Sequence, residues 1–354
     1  MNQTATDPVL TICVISYNRG RRALQLVTAT LPDMDDDWEL LVLNNASPAE
    51  QTFYDQIEAM AATDPRLSYV CHAANREYHG NYLACFDHAR APWFMLCSDE
   101  DLPRLPSMRN LLPLLQAQDN LCVLRGSIVP EEGARPQNAI IWPENRYAAG
   151  SEALLHYGML NNYISGTFYN RALAQEKGLV ERLRQGIDGQ RIYAHLYFEL
   201  LAASQCDVMT TPEVVITEGQ PQFLTDATAA VPMRYQPPYS FGSRIDQIIV
   251  LRDALIEAVG LVHEPFDLDL FLRMYLRLCE KYFRLVSLVN RPLYQNHALH
   301  LELLQKSLLY VCTAGISCYP AVEPYRAKMI EEITKIFFRY QPAPRNAGDA
   351  TPAP

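Results

Sequence analysis

The sequence predicts an α/β fold, in which a doubly wound, mainly parallel sheet with helices on both faces precedes a mostly helical C-terminal region. Two observations predict the first part: short apolar runs rich in β-branched residues recur along residues 1–220, and helical patterns separate them. A third observation predicts the second part, because the pattern is helical from residue 244 onward. Alternation of strands and helices implies right-handed crossovers within one sheet.

Five apolar runs are predicted as strands of this sheet. Runs of this kind, without alternating polar residues, fit strands that are buried on both faces, as in a parallel sheet. Ligands bind such sheets at the carboxyl ends of the strands, so the residues that follow each run are the candidates for a site. The runs cover residues 9–16, 38–43, 67–71, 93–97 and 121–125.

The segment SPAEQTFYDQIEAM predicts the best-defined helix between these strands. Ser47 is expected to be the N-cap residue and Glu50 its capping-box partner, with a proline at the first helical position. Helical spacing then brings together one apolar face, made by Phe53, Ile57 and Met60.

The composition changes after the last predicted strand. Residues 1–220 are predicted to form one domain and residues 221–243 a linker, because that segment is rich in Pro, Gly and Thr. Residues 244–340 are predicted to form a helical region, and the low-complexity tail at 341–354 is expected to be disordered. The helices are expected at residues 244–260, 266–290, 297–313 and 321–340.

The bulk composition excludes some classes of function. The 354-residue chain has a formal net charge of −10, which argues against nucleic acid as a partner, since a phosphate backbone needs a basic surface. Its nine cysteines form no C-x-x-C pair, which predicts free thiols in a reducing compartment. The N-terminus lacks a signal peptide pattern, and the longest apolar run is too short to cross a bilayer. These features predict a cytoplasmic location.

Three polar segments follow predicted strands. SYNR offers an aromatic ring and polar groups to a planar base, and NN offers side-chain amides to the edge of a base. SDED offers carboxylates, the ligands that hard divalent cations such as Mg²⁺ and Mn²⁺ prefer. Taken singly, each segment also fits an ordinary polar turn. The candidate residues of these three turns are Ser16, Tyr17, Asn18, Arg19, Asn44, Asp99, Glu100 and Asp101.

Taken together and in this order, the three segments resemble the family 2 glycosyltransferases of the GT-A fold, and bacterial O-antigen and cell-surface sugar transferases among them. In that family the first turn holds the nucleobase, the second strand ends in an Asp-Asn-x-Ser element, and a D-x-D motif holds a metal ion on the diphosphate of the sugar nucleotide. The segment NREYHGNYLACFDHARAPW, which contains Asn81, is similar to the family's segment before the metal strand.

The resemblance covers about residues 8–220 and implies that residues 1–220 are a nucleotide-sugar-binding catalytic domain. It implies that Asp99 and Asp101 bind Mn²⁺ or Mg²⁺, whose charge would offset the repulsion among the three acids. Glu100 belongs to the same nucleotide-sugar site but is expected to point elsewhere. Asn81 is expected to contribute to the nucleotide-sugar site as well.

One departure from the family concerns the nucleobase. Asn44 stands where the family usually has an Asp that accepts a hydrogen bond from uracil N3–H. An Asn side chain can accept through its oxygen and also donate through its nitrogen. The resemblance therefore implies UDP or dTDP as the donor nucleotide and leaves a cytidine nucleotide open.

A second departure concerns the catalytic base. Inverting members of the family have a Glu-Asp pair at the start of the helix after the acceptor-side strand. That strand resembles YISGTFYN, with Ser165 and Gly166 in the acceptor loop, and the next helix is expected to begin at Asp188 without such a pair. Asp188 is therefore a candidate base, or only an N-cap residue. His195, expected two turns into the helix, is the second candidate, or a hydrogen-bonded core residue.

A basic stripe marks the C-terminal region. Helical spacing puts four cations on one side of the predicted helix, namely Arg273, Arg277, Lys281 and Arg284. They could meet a phosphate-bearing acceptor or an anionic membrane surface, or could form a solvated face or pack against the acidic domain. The helical region is accordingly expected to recognise the acceptor, assemble a homo-oligomer or contact a membrane peripherally.

The function that the resemblance implies is a metal-dependent, inverting transfer of sugar from a nucleotide-diphosphate sugar to a hydroxyl of a glycan, lipid-linked or protein acceptor. Two alternatives stay open from the sequence. A sugar-phosphate nucleotidyltransferase shares a related sheet and acidic metal ligands, but usually has a glycine-rich first loop, whereas SYNRGRR has one glycine. A non-catalytic scaffold with a degenerate sugar-nucleotide site would explain the missing Glu-Asp pair.

Overall fold

The computed structural model describes residues 7–117, 120–133, 139–159, 163–187, 193–220, 241–287 and 298–340. The chain divides into two compact units. The first comprises residues 1–230 together with 257–264, and the second comprises residues 231–256 together with 265–354. Most of the predicted linker, residues 221–240, lies outside the described residues, and so does the predicted tail at 341–354.

One sheet organises the first unit. Within the described residues it has nine strands in the order β3-β2-β1-β4-β8-β6-β9-β5, and β7 pairs with β9. The strands are β1 (Leu10–Ser16), β2 (Trp38–Asn44), β3 (Leu67–Cys71), β4 (Trp93–Ser98), β5 (Leu102–Pro103), β6 (Leu121–Pro130), β7 (Asn145–Tyr147), β8 (Thr167–Asn170) and β9 (Asp207–Glu218).

The half of the sheet made by β3, β2, β1 and β4 is parallel throughout. Every residue of β1, β2 and β4 is buried, as expected for strands that are covered on both faces. The other half is mixed, because β8 runs antiparallel to both β4 and β6, whereas β6 and β9 are parallel to each other. The predicted mainly parallel, doubly wound architecture is confirmed.

Eight helices of the described residues belong to the first unit. Helix α1 follows β1, α2 follows β2 and α3 follows β3, so that each joins two parallel strands. Their bounds are α1 (Gly20–Thr30), α2 (Gln51–Ala61), α3 (Glu77–His88), α4 (Leu105–Gln116), α5 (Ser151–His156), α6 (Arg171–Glu176), α7 (Leu179–Ile187) and α8 (Ala194–Gln205). A 3₁₀ turn at Leu31–Asp33 extends α1.

The predicted capping box at the start of α2 is wrong. The helix begins at Gln51, and its N-cap residue is Glu50, which has a left-handed backbone and no side-chain cap hydrogen bond. The side chains of Ser47 and Glu50 bond to another segment instead. Ser47 Oγ accepts from Asn18 N in the turn after β1 at 2.9 Å, and Glu50 Oε2 accepts from Arg21 N in the first turn of α1 at 2.8 Å. Long-range partners thus displaced the local capping geometry that the sequence pattern favours.

The buried face of α2 is also shifted relative to the prediction. Ile57 is buried as expected, but the aromatic residue that joins it is Tyr54. Phe53 and Met60 are only half-buried, and the guanidinium carbon of Arg21 lies 5.4 Å from the centre of the Phe53 ring.

The expected helix start at residue 188 is wrong as well. After β8 the chain forms two helices, α6 and α7, before α8 begins at Ala194. The pattern LVERLRQGI gives α7 a buried apolar side, and its last helical residue is Ile187. His195 therefore lies in the first turn of α8 rather than two turns into it, and Asp188 lies outside the described residues.

The C-terminal region is helical, as predicted. Helix α9 (Phe241–Val262) begins inside the expected linker and reaches from the second unit into residues 257–262 of the first. The second unit also contains α10 (Leu268–Leu285), α11 (Ala298–Gly315) and α12 (Arg326–Arg339), with 3₁₀ turns at Ile316–Cys318 and Pro320–Tyr325. No helix in the described part of the chain has both the length and the apolar character needed to cross a membrane.

The basic stripe lies on α10. Arg273, Arg277 and Arg284 are exposed, and Lys281 is half-buried. Arg273 forms an ion pair of 2.8 Å with Asp269, one turn earlier on the same helix, and both side chains are largely exposed. The opposite side of α10 is buried and supplies the core of the second unit, with Leu270, Phe271, Met274, Tyr275, Leu278, Cys279, Tyr282 and Phe283.

Candidate active site

The polar turns after β1, β2 and β4 lie next to one another at one edge of the sheet. Strand β1 lies between β2 and β4 and is parallel to both, with Ser16 in register with Asn44, and Ile15 with Ser98. The residues that follow these positions therefore leave the sheet side by side. The expectation that the three segments share one edge is confirmed.

A single phenol links two of these turns. Tyr54 is fully buried, and its hydroxyl lies 2.7 Å from Ser16 Oγ. The same hydroxyl accepts from Ser47 Oγ at 3.2 Å and from Arg19 N at 3.2 Å. Because these bonds hold the β1 turn against the β2 turn, the backbone position of Arg19 is fixed by the protein core.

Arg19 is the cation among the three acids. Its Nη1 donates to Asp99 Oδ1 and to Glu100 Oε2, both at 3.1 Å. Ser16 Oγ donates to the second oxygen of Asp99 at 2.7 Å. Burial raises the pKa of the Asp99 carboxyl group, and the positive charge of Arg19 is the largest effect that opposes this shift. Glu100 was expected to point away from this site. Instead it accepts from the same Arg19 guanidinium as Asp99 does.

Asp101 is fully buried and has partners of its own, although it lines the same cleft as Asp99. Tyr163 Oη lies 2.7 Å from both carboxylate oxygens, Ser165 Oγ donates at 2.5 Å, and the backbone N–H of Gly219 donates at 3.0 Å. Burial raises the pKa of Asp101 to about 7, against the lowering effect of these hydrogen bonds. The carboxylate therefore ties the end of β4 to the segment before β8 and to the end of β9.

Gly219 allows this close packing. A Cβ atom at this position would collide with the backbone carbonyl oxygen of Glu100, and a backbone atom cannot be moved aside by a change of rotamer. Only glycine can therefore bring its N–H up to Asp101 with the acidic turn in its present place.

Ser165 and Gly166, predicted as acceptor-loop residues, lie directly behind the acidic turn. Ser165 Oγ accepts from Ser98 N at 2.8 Å in addition to its bond with Asp101. Gly166 has a φ of +81°, a left-handed conformation that favours glycine, and its N–H donates to Leu96 O at 3.1 Å. Both residues thus position the end of β4.

The loop that carries Tyr163 is held from the core by a buried ion pair. Arg125 Nη2 and Glu199 Oε1 are 2.7 Å apart, and neither side chain is exposed. Arg125 Nη1 also donates to the backbone oxygen of Tyr163 at 3.1 Å. The position of the Tyr163 hydroxyl therefore depends on a charge pair that the sequence alone did not reveal.

The amides predicted to face a base are used inside the protein. Asn44 is fully buried: its Nδ2 donates to Tyr69 Oη at 2.9 Å, and its Oδ1 accepts from Ser47 N at 3.0 Å. Asn81 Oδ1 lies 3.0 Å from His72 Nε2. The bonds of Asn44 favour turn chemistry, the alternative that the sequence left open. A base contact by Asn44 and the contribution of Asn81 to the nucleotide-sugar site stay predictions.

Among the residues of the β1 turn, Tyr17 is the one that presents its ring to solvent, with 41% of its surface exposed. Asn18 has a left-handed backbone, and its Oδ1 accepts from Ala49 N at 3.2 Å. Tyr17 is therefore available to a ligand, whereas Asn18 shapes the turn.

The candidate bases are placed differently. His195 is fully buried, and its Nδ1 lies 2.7 Å from Tyr78 Oη, within a cluster of aromatic rings that includes Tyr82 and Tyr193. This is the environment of the core alternative stated for it. Asp188 lies outside the described residues, so its role as a base stays a prediction.

An open cleft of about 700 Å³ lies between the N-terminal turn of α1, the acidic turn and the end of β9. Arg19, Arg21 and Arg22 line one side of this cleft. Acidic side chains and the segment after β9 line the rest. Arg22 Nη1, for example, donates to Gln220 O at 2.7 Å and lies 3.8 Å from Glu100 Oε2. The cleft is lined by Arg19, Arg21, Arg22, Glu50, Asp99, Glu100, Glu131, Gly219 and Gln220, with further residues of α1 and the acidic turn.

The acidic turn suits a divalent cation in its chemistry, because carboxylate oxygens are the ligands of Mg²⁺ and Mn²⁺. A carboxylate has about four acceptor positions. Asp101 accepts from three donors, those of Tyr163, Ser165 and Gly219, whereas Asp99 accepts from Ser16 and Arg19. Among the described residues, no group of three or more acidic, His or Cys side chains is arranged to hold a metal. The geometry therefore favours Asp99 and Glu100, which share the cation Arg19, as ligands of such an ion, and the predicted Asp99–Asp101 metal pair stays a prediction.

Sequence reasoning missed several residues of this site. Tyr54, Tyr163 and Gly219 act through contacts between segments that are far apart in the chain, which periodicity does not show. The sequence does hint at Gly219, which comes shortly after the apolar run VVI at 214–216. It also hints at Arg22, because SYNRGRR carries three arginines within four residues.

Comparison with protein families identifies the domain that carries the site. Residues 11–177 match the model described as glycosyl transferase family 2. These residues form a family 2 glycosyltransferase domain, and the protein is a glycosyltransferase that uses a nucleotide-sugar donor. The resemblance seen in the sequence is thereby confirmed. No curated protein matches the chain in sequence.

Solved structures share the fold at low sequence identity. Residues 1–349 of TarS from S. aureus, in complex with UDP, are 11% identical, cover 94% of this chain and 90% of that chain, and give a TM-score of 0.57. The complex of the same protein with UDP-GlcNAc is 12% identical, covers 94% and 91%, and gives 0.56. The mannosyltransferase PcManGT from Pyrobaculum calidifontis, in complex with GDP-Man and Mn²⁺, is 17% identical and covers 95% and 87%, but its TM-score is 0.45.

Proposed function

We propose that this glycosyltransferase moves a sugar from a uridine or thymidine diphosphate sugar to a hydroxyl group of a glycan, lipid-linked or protein acceptor, with inversion at the anomeric carbon. The observation that carries the proposal is the meeting of an aromatic turn and an acidic turn at the ends of β1 and β4, beside an open cleft. Carboxyl ends of parallel strands are where α/β sheets bind ligands.

The nucleotide would bind with its base against Tyr17. An exposed ring at a strand end can stack on a planar base, and the buried residues of the same turn keep it in place. Uridine is favoured because UDP and UDP-GlcNAc are bound by TarS, which has the same fold. Asn44 would contribute indirectly, by holding the turn after β2. It would contact the base directly only if its hydrogen bond to Tyr69 opened.

The diphosphate would lie in the cleft, between the acidic turn and the arginines of α1. A divalent cation, Mn²⁺ or Mg²⁺, would neutralise the charge that develops on the departing diphosphate. Asp99 and Glu100 would hold this ion, because they share one cation already and border the cleft. Asp101 would support the turn from within the core, where its oxygens accept other hydrogen bonds.

The acceptor hydroxyl needs a proton acceptor within hydrogen-bond reach on the face opposite the leaving diphosphate. Asp188 is the carboxylate that we propose for this role, because it comes in the chain after the strand that resembles the family's acceptor-side strand. His195 is the weaker candidate, since it is buried and bonded to Tyr78. We also propose that the helical second unit recognises the acceptor or assembles an oligomer. The basic stripe on α10 would make a peripheral contact with a membrane.

A screen of nucleotide sugars tests the donor part of the proposal. Thermal unfolding is recorded with UDP-, dTDP-, CDP- and GDP-sugars, each with and without Mn²⁺, because a ligand that binds the folded state raises the unfolding temperature. A uridine or thymidine donor should give the largest shift, and turnover should release the nucleoside diphosphate. Release of pyrophosphate would indicate a nucleotidyltransferase instead, and no shift or turnover with any donor would indicate a degenerate site.

The base is tested by comparing Asp188→Asn with His195→Gln. Loss of a general base typically costs about 10²–10⁴ in rate. Asp188→Asn should bind the donor normally and transfer sugar at least a hundredfold more slowly by that estimate. If Asp188→Asn transfers at the parent rate while folded His195→Gln is inactive, the imidazole is the base, and if both remain active the base lies elsewhere.

A further inference from the structure

The acidic turn already contains a cation of its own. Three neighbouring acids repel one another unless a positive charge lies among them. The guanidinium of Arg19 supplies that charge, since its Nη1 bonds to Asp99 and Glu100 at the same distance, 3.1 Å. These are the two carboxylates that the cleft would offer to a divalent ion, so the guanidinium and the ion compete for the same oxygens.

The backbone and the side chain of Arg19 are held by different contacts. Its N–H is bonded to the buried Tyr54 hydroxyl at 3.2 Å, and the next residue, Gly20, begins α1. The side chain is 33% exposed and reaches into the open cleft. The guanidinium can therefore leave the carboxylates by rotation of its own side chain, without any movement of the turn.

Arg22 cannot take this role as well as Arg19. Its Nη1 is 3.8 Å from Glu100, beyond hydrogen-bond distance, and it is bonded to the backbone oxygen of Gln220 at 2.7 Å. Arg22 therefore links α1 to the end of β9.

We infer that Arg19 is an exchangeable internal counter-ion: it occupies the place between Asp99 and Glu100 in the ligand-free enzyme and turns to the diphosphate when a divalent ion and the nucleotide arrive together. The inference rests on the proposed function for the identity of the second ligand. It predicts that metal and nucleotide bind with positive coupling, because the metal displaces the guanidinium and the diphosphate gives it a new anionic partner.

The inference is tested by measuring Mn²⁺ affinity with and without UDP for the full chain and for Arg19→Gln and Arg19→Lys. The parent protein should bind Mn²⁺ weakly alone and about tenfold or more tightly with UDP, which is a typical size for such coupling. Arg19→Gln should bind Mn²⁺ alone about tenfold more tightly, bind UDP with Mn²⁺ more weakly, and lose most of the coupling. Arg19→Lys keeps the charge and should stay close to the parent.

Arg109→Gln is the matched control. It also removes one guanidinium from the first unit, where Arg109 Nε pairs with Asp35 at 2.7 Å, away from the residues of the cleft. Its Mn²⁺ affinity should equal that of the parent. If Arg19→Gln is less stable than the parent, Mn²⁺ should raise its unfolding temperature by more than it raises that of the parent.

The inference is overturned if Arg19→Gln binds Mn²⁺ alone no more tightly than the parent does, or if its coupling with UDP is unchanged. These outcomes differ from a failure of the proposed function. A parent protein that binds no nucleotide sugar would refute the function, while tighter Mn²⁺ binding by Arg19→Gln would still support the competition at Asp99 and Glu100.

Discussion

Asp99 and Asp101 are two residues apart on one turn, both are buried and both line the cleft, yet their hydrogen-bond partners differ. Asp99 is bonded to a serine and to a partly exposed arginine, and it borders the cleft. Asp101 accepts from two hydroxyl groups and a backbone N–H, all from segments that follow in the chain by more than 60 residues. We therefore expect these two acids of one motif to divide the work, with Asp99 contributing to the ligand site and Asp101 anchoring the turn.

The physical cause of the difference is the type of partner. Asp101 is fully buried and accepts from the buried Ser165 hydroxyl and from the partly buried donors of Tyr163 and Gly219, so its bonds are part of the folded structure. Asp99 accepts from the buried Ser16 hydroxyl and from the partly exposed guanidinium of Arg19, and ion pairs with an exposed member contribute little to stability. We therefore expect changes at Asp101 to lower stability first and changes at Asp99 to lower binding first.

The largest effect on stability is expected from Asp101→Ala. The substitution leaves the buried Ser165 hydroxyl and the partly buried donors of Tyr163 and Gly219 without their acceptor, and each unsatisfied buried group costs about 1–3 kcal/mol. The free energy of unfolding should therefore fall by about 3 kcal/mol or more. Urea-induced unfolding measures this change. Asp35→Ala is the control on an exposed ion pair, and its free energy of unfolding should change by less than about 1 kcal/mol.

Asp99→Asn should show the reverse pattern. An amide can still accept from Ser16, so the fold should be kept, but the negative charge that balances Arg19 or a metal is lost. Transfer from the nucleotide sugar should slow by about a hundredfold or more, because metal and charge stabilisation of a leaving group is worth several kcal/mol. Initial rates with and without Mn²⁺ check this. The division of roles would be wrong if Asp99→Asn unfolded more easily than Asp101→Ala while retaining activity.

The sequence predicted the strands and the edge of the sheet where the site lies, because continuous apolar runs such as LTICVIS are buried on both faces and end at polar turns. It did not predict which way each side chain points. Glu100, and not Asp101, pairs with Arg19, while Asp101 accepts from Tyr163 and Gly219. These contacts join segments that are far apart in the chain. Local rules also failed at α2, where Ser47 and Glu50 form long-range bonds in place of a capping box.

Gly219→Ala tests the same comparison from the backbone side. The new methyl group would collide with the carbonyl oxygen of Glu100, so the acidic turn and the end of β9 must move apart. Overpacking of this kind costs about 1–3 kcal/mol, and the bond from the Gly219 N–H to Asp101 should be lost. Both the free energy of unfolding and the affinity for the donor should fall.

Gly260→Ala is the matched control for this change. Nothing lies within 4 Å of a Cβ atom at Gly260, which is inside α9, so alanine there should be neutral or stabilise the protein by about 0.5–1 kcal/mol. Equal stability of the two variants would show that the acidic turn yields to Gly219→Ala without cost, and that Asp101 does not anchor it.

The smallest effect is expected from Asn44→Asp, which separates turn chemistry from base recognition. In the turn role, an aspartate can still accept from Ser47 N and can accept from the Tyr69 hydroxyl instead of donating to it, so stability should change by less than about 1 kcal/mol. The preference among uracil, thymine and cytosine nucleotides should then be the same as in the parent. In the base-contact role, a carboxylate could not donate to cytosine N3, and any binding of a cytidine nucleotide should be lost while uridine binding is kept. Competition of UDP, dTDP and CDP for the donor site measures the preference directly. A selective loss of CDP binding would return Asn44 to the nucleobase and would mean that the bond between Asn44 and Tyr69 opens when the nucleotide binds.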